Sequence, residues 1–69
     1  MQTGTVTRMF EVRGFGFITP DHGDRDAFLG CKILRSATIA LHEGQRVEFD
    51  AVESEPGLVV VSVKPLARS

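Results

Sequence analysis

Residues 13–20 read RGFGFITP, with Phe15 and Phe17 on one side of a strand and Gly14, Gly16 and Ile18 on the other. Two rings at alternate positions, with only glycine between them, make a flat apolar surface. Its natural chemistry is non-covalent. Unpaired nucleobases carry π faces that stack on such rings, and Arg13 beside them offers a positive charge to a phosphate. Alternation alone allows two arrangements. Either Ile18 enters the core and both rings face water, or both rings are core and the glycines merely let backbones approach closely.

Other groupings offer less. The segment DHGDRD (residues 21–26) gathers Asp21, Asp24 and Asp26 but lacks the ligand order and distant glutamate of a calcium loop, so it reads as a solvated turn. His42 opens HEGQR, where Arg46 stands at the place of the second histidine of a zinc-protease helix. Cys31 has no histidine at a spacing that suggests a base, which makes it a packing residue or a bystander beside the rings. Gly14 and Gly16 do not complete a dinucleotide-binding G-x-G-x-x-G, because Thr19 fills its last position. No enzyme activity, metal, cofactor or small-molecule substrate is expected.

The elements that must hold the rings are short strands. Glycine or proline punctuates the chain at short intervals, and the segments between are rich in Val, Ile, Thr and Phe. Residues 3–10 and 15–19 read as the first two strands, and residues 27–30 as a short third. Residues 45–53 alternate, with Val47, Phe49 and Ala51 on one face and Arg46, Glu48 and Asp50 on the other. SEPG turns the chain into a last strand over residues 58–63, with Val59, Val61 and Val63 as its inward set and Pro65 closing it. Residues 31–41 hold the one helix candidate, read as a short turn and a loop because Ser36 and Thr38 interrupt it. Five short strands leave many edges, which closure removes, so the expected fold is all-β: a five-stranded antiparallel Greek-key barrel.

The 69 residues suffice for one domain with a small core. The chain is 42% apolar and 25% charged, with five Phe and no Trp or Tyr. A single cysteine excludes an internal disulfide and fits a reducing compartment. The start of the chain lacks the apolar stretch of a signal peptide, and no run approaches the length of a membrane helix, so a cytoplasmic protein is expected. A net charge of −1 gives no global attraction to nucleic acid, so phosphate contacts must come from local placement.

The string RGFGFITP resembles the first ribonucleoprotein motif, which two fold families carry. In the RNA-recognition-motif fold an earlier strand and a helix precede it, and only 12 residues lie before Arg13 here. The cold-shock domain family fits: GTVTRMF (residues 4–10), RGFGFITP, the turn 21–26, DAFLG (26–30), LHEGQRVEF (41–49) and the Pro56-Gly57 turn before the valine strand all resemble it. That resemblance covers nearly the whole chain, and residues 1–69 are expected to form one domain. It implies an OB-type barrel that binds single-stranded RNA or DNA and acts as an RNA chaperone or a regulator of transcription or translation. By resemblance Phe15, Phe17 and Phe28 are platform rings, Phe10 and Met9 extend the platform, and Arg8 and Arg13 are basic positions beside it, with Lys32 a further candidate.

The chain also departs from that family. Met9 stands where a tryptophan is typical, and Phe28, Leu29, Gly30 and Cys31 stand where Phe-Val-His-Phe is typical. A loop aromatic is replaced at Thr38 or Ile39, and a basic residue at Pro56. At about 1–3 kcal/mol per stacked base, losing two or three contacts lowers affinity by two or more orders of magnitude, so weak or short-footprint binding is expected. The rival reading is a degenerate barrel used for protein interaction or dimerisation, favoured by the lost rings and the near-neutral charge. A monomer or a strand-exchanged dimer fits the size of the barrel.

Overall fold

The computed structural model describes residues 1–10, 12–23, 25–36, 41–55 and 57–66. Expectations that fell on Asp24, Thr38, Ile39 and Pro56 lie outside the described residues. The elements are β1 (Gln2–Phe10), β2 (Phe15–Pro20), β3 (Ala27–Leu29), α1 (Cys31–Ser36), β4 (Arg46–Glu53) and β5 (Leu58–Pro65).

The strands close into a barrel in the order β1-β2-β3-β5-β4, with β4 returning to β1. Four of the joints are antiparallel and the β3–β5 joint is parallel. A closed ring with an odd number of strands cannot alternate direction throughout. One parallel joint is therefore forced, and it falls between β3 and β5, with α1 and β4 between them in the chain, since a parallel pair cannot be joined by a tight turn.

Val6, Ile18, Ala27, Leu29, Leu41, Val47, Phe49 and Val60 form the core, and Phe49 is its largest buried side chain. The alternation read in β4 is observed: Val47 and Phe49 are buried and Ala51 packs against them. β5 differs from expectation. Asp50 faces Ser62 while Ala51 faces Val60, so Val61 is an extra residue in the ladder. This bulge flips the parity of the strand. Before it Leu58 and Val60 point inward, after it Val63 does, and Val61 is left 47% exposed. The inward set Val59, Val61 and Val63 is thus corrected to Leu58, Val60 and Val63.

The turn after β2 is tied down by charge. Arg46 on β4 donates to both carboxylate oxygens of Asp21, at 2.6 and 2.5 Å, and to the Thr5 hydroxyl at 3.0 Å. The Thr3 hydroxyl donates to Asp21 at 2.7 Å. These donors, Arg46 first, hold the Asp21 carboxyl well below the usual carboxylate range, and the same bond pushes Arg46 up. Arg25 makes a two-pronged pair with Glu53 at the far end of β4. No helix among the described residues is long and apolar enough to cross a membrane.

Candidate nucleic-acid interface

Ile18 is fully buried, and that settles which face of β2 is wet. Phe15 and Phe17 lie on the outer surface of the barrel, half-buried. Register brings the other rings to them. Phe15 pairs with Phe10 across β1–β2, and Phe17 pairs with Arg8 on one side and Phe28 on the other. Phe28 in turn faces Val59 across the parallel joint. One row therefore runs Arg8, Phe17, Phe28, Val59 across four strands, with Phe10 and Phe15 beside it.

Each of the four rings meets at least two of the others. Phe10 stacks on Phe15 with centroids 4.8 Å apart and planes 26° apart. Phe28 lies 5.7 Å from Phe15 at 33°. Phe17 stands nearly edge-on to Phe10, Phe15 and Phe28, at 85°, 87° and 69°. Such geometry matches the quadrupole preference of aromatic pairs, and the cluster supports itself without a bound partner. The most exposed of the four are Phe28, at 38%, and Phe10, at 36%.

The glycines of the motif have distinct duties. Gly14 closes the β1–β2 turn at φ +78°, its N–H donating to the Phe10 carbonyl at 2.7 Å. Gly16 sits where a Cβ would meet the Arg8 carbonyl oxygen at 2.6 Å and the Met9 sulfur at 3.0 Å. Because that Cβ direction points away from Phe15 and Phe17, the Met9 sulfur lies on the inner side of the sheet. Met9 packs against the core and borders a separate recess with Leu41, His42 and Glu43, its N–H donating to the Glu43 carboxylate at 3.0 Å. Met9 is accordingly corrected from a platform residue to a supporting one beneath Gly16.

The basic candidates are exposed. Arg8 flanks the row on β1, Arg13 lies in the β1–β2 turn with its N–H donating to the Phe10 carbonyl, and Lys32 lies on α1. Cys31 is exposed too, its Cβ 3.5 Å from where a Cβ on Gly14 would stand. Asp21 and Asp26, considered for calcium, are engaged elsewhere, Asp26 accepting from the Thr19 hydroxyl at 2.8 Å. Among the described residues no group of three or more His, Cys, Asp or Glu is placed to hold a metal.

Sequence reading missed an open groove beside the rings, lined by Phe17, Asp26, Phe28, Gly57, Leu58 and Val59. The sequence pattern puts Val59 in the core, and only the bulge and the parallel joint bring it to Phe28.

This surface carries the rings, and the family model described as the 'Cold-shock' DNA-binding domain matches residues 2–66. The chain belongs to the cold-shock domain family. It is 42% identical over 64 residues to cold shock protein CapB of Pseudomonas syringae pv. tomato, covering 91% of each chain. It is 37% identical over 67 residues to cold shock-like protein CspA of Stigmatella aurantiaca, covering 96% of this chain and 98% of that one. Cold shock-like protein CspE of Buchnera aphidicola, at 42% over 55 residues, covers 78% of this chain and 80% of its own. The cold-shock fold thus stands on the barrel and on these relatives together.

Proposed function

We propose that the protein binds single-stranded RNA or DNA on the outer ring face, with reduced affinity and a short footprint, and acts by binding rather than catalysis. The observation that carries this reading is the cluster of four mutually packed rings held outside a complete core. Large apolar area left at the surface invites a partner. A base supplies a flat face at about 1–3 kcal/mol per stack. Phe10, Phe15, Phe17 and Phe28 are the stacking residues, and Arg8 and Arg13 hold the backbone, with Lys32 in reach of a longer strand.

Binding to unpaired strands draws a hairpin towards its open form by mass action and needs no nucleotide hydrolysis, which is the work of an RNA chaperone or a transcription or translation regulator. The reduced affinity follows from Gly30 and Cys31, which add no ring, and from Met9, which faces inward.

The test is an anisotropy titration of labelled heptathymidylate and of a mixed-sequence RNA heptamer at two salt concentrations, with Phe15→Ala/Phe17→Ala beside the native chain. Saturable micromolar binding that the double variant loses is expected. Nanomolar binding of a heptamer in moderate salt would refute the reduced affinity, and equal binding by the double variant would refute the site.

A further inference from the structure

We propose that the ring face is also a self-association surface, on which two copies pair about a twofold axis with Arg8 of each entering the Asp26 groove of the other. The starting point is the set of charges the fold leaves unanswered. Ion pairs join Arg25 to Glu53, Arg46 to Asp21, Lys64 to Glu48 and the N-terminus to Asp50. Arg8 and Asp26 are among the described charges that no ion pair engages, and Asp26 uses one oxygen on the Thr19 hydroxyl. Arg8 stands at one end of an apolar row, and Asp26, two residues before Phe28, lines the groove beside the other end.

The row is self-complementary. It runs Arg8, Phe17, Phe28, Val59, and at about 4.8 Å per strand Arg8 and Val59 are roughly 14 Å apart. A twofold axis between Phe17 and Phe28 lays the Arg8 of one copy over the Val59 of the other, where Asp26 shares the groove with Phe17, Phe28 and Leu58. A guanidinium there meets a carboxylate oxygen and the ring faces together, a setting that suits arginine. The middle of the contact is Phe17 of each copy against Phe28 of the other. A net charge of −1 sets little repulsion against it.

Two convex barrels touching over four strands cover on the order of 400 Å² each, below the size of a stable dimer, so the pairing is weak and concentration-dependent. It uses the rings that the proposed nucleic-acid site uses, so strand and second copy exclude each other. Its test needs no nucleic acid, and either proposal can fail alone.

Sedimentation velocity from tens of micromolar to about 1 mM is expected to show reversible dimerisation. Each dimer contains two Arg8–Asp26 contacts, so Arg8→Gln is expected to lower the association constant about five- to thirtyfold. Arg8→Asp and Asp26→Arg are each expected to sediment as monomers, and their equimolar mixture to recover association, because only the mixed dimer makes both contacts between opposite charges. Asp26→Asn, which can still accept from Thr19, replaces Asp26→Arg if that variant does not melt cooperatively, and is expected to weaken association as Arg8→Gln does. A native chain that stays monomeric at 1 mM, a mixture no more associated than its components, or undiminished association of Arg8→Gln or Asp26→Asn would overturn the proposal.

Discussion

Phe17→Ala separates the ring face from the core most sharply. The ring is half-buried and stands edge-on to three others at centroid distances of 6.4, 6.0 and 5.7 Å, outside the buried cluster of Phe49, Ile18 and Leu29. Aromatic pairs contribute about 0.5–1.5 kcal/mol each beyond area burial. The pairs share one ring and do not add fully, so a loss of about 1–2 kcal/mol of stability is expected. For a domain of this size that is a melting-temperature drop of roughly 4–16 °C. Binding loses one stacked base, about 1–3 kcal/mol, or about 5- to 150-fold in Kd. The assay pairs a circular-dichroism melt with heptathymidylate titration well below the variant's melting temperature. A folded, cooperatively melting Phe17→Ala whose Kd lies within twofold of the native value would refute the assignment of base stacking to this face.

Three further outcomes are expected. Phe49→Ala removes the largest buried side chain, at about 3–5 kcal/mol, which is most of the stability of a chain this small, and its melt is expected to lose cooperativity while Phe17→Ala keeps it. Gly16→Ala places a methyl group 2.6 Å from the Arg8 carbonyl oxygen, so β1 and β2 must separate slightly; a loss of about 1–3 kcal/mol in chemical denaturation is expected, and an unchanged midpoint would contradict the close approach. The Asp21 carboxyl titrates below its unfolded value, so its contribution is present above the ordinary carboxylate pKa and is lost as pH falls through that range towards the native value. Asp21→Asn is expected to flatten the decline in melting temperature between about pH 5 and pH 2, and an identical decline would place the acid sensitivity elsewhere.

Much of this architecture was legible in the chain. Alternation in residues 45–53 gave the buried face of β4, because a strand half in water must separate its side chains by parity. The string RGFGFITP pointed to the cold-shock family, while its alternation left open whether the rings or Ile18 enter the core. Three features were not legible. The first half of the last strand reads onto the wrong face, though Val63 is inward as expected, because a bulge at Val61 resets parity and a continuous valine run contains no polar residue to signal the change. The family resemblance puts Met9 with the rings, where a tryptophan is typical, whereas the missing Cβ of Gly16 opens the space its sulfur occupies on the inner side. The groove beside Phe28 was invisible because Val59 reaches it only through the parallel joint.

The sequence by itself determined which residues are rings, which are glycine, and the period of each strand, since those depend on neighbours along the chain. Only the tertiary structure decided which face of β2 is wet, which strands meet, and which charges are left without a partner. Each of these depends on residues far apart in sequence: Ile18 turns inward because Val6, Val47 and Phe49 make a core for it, and the rings face outward as the remainder of that choice.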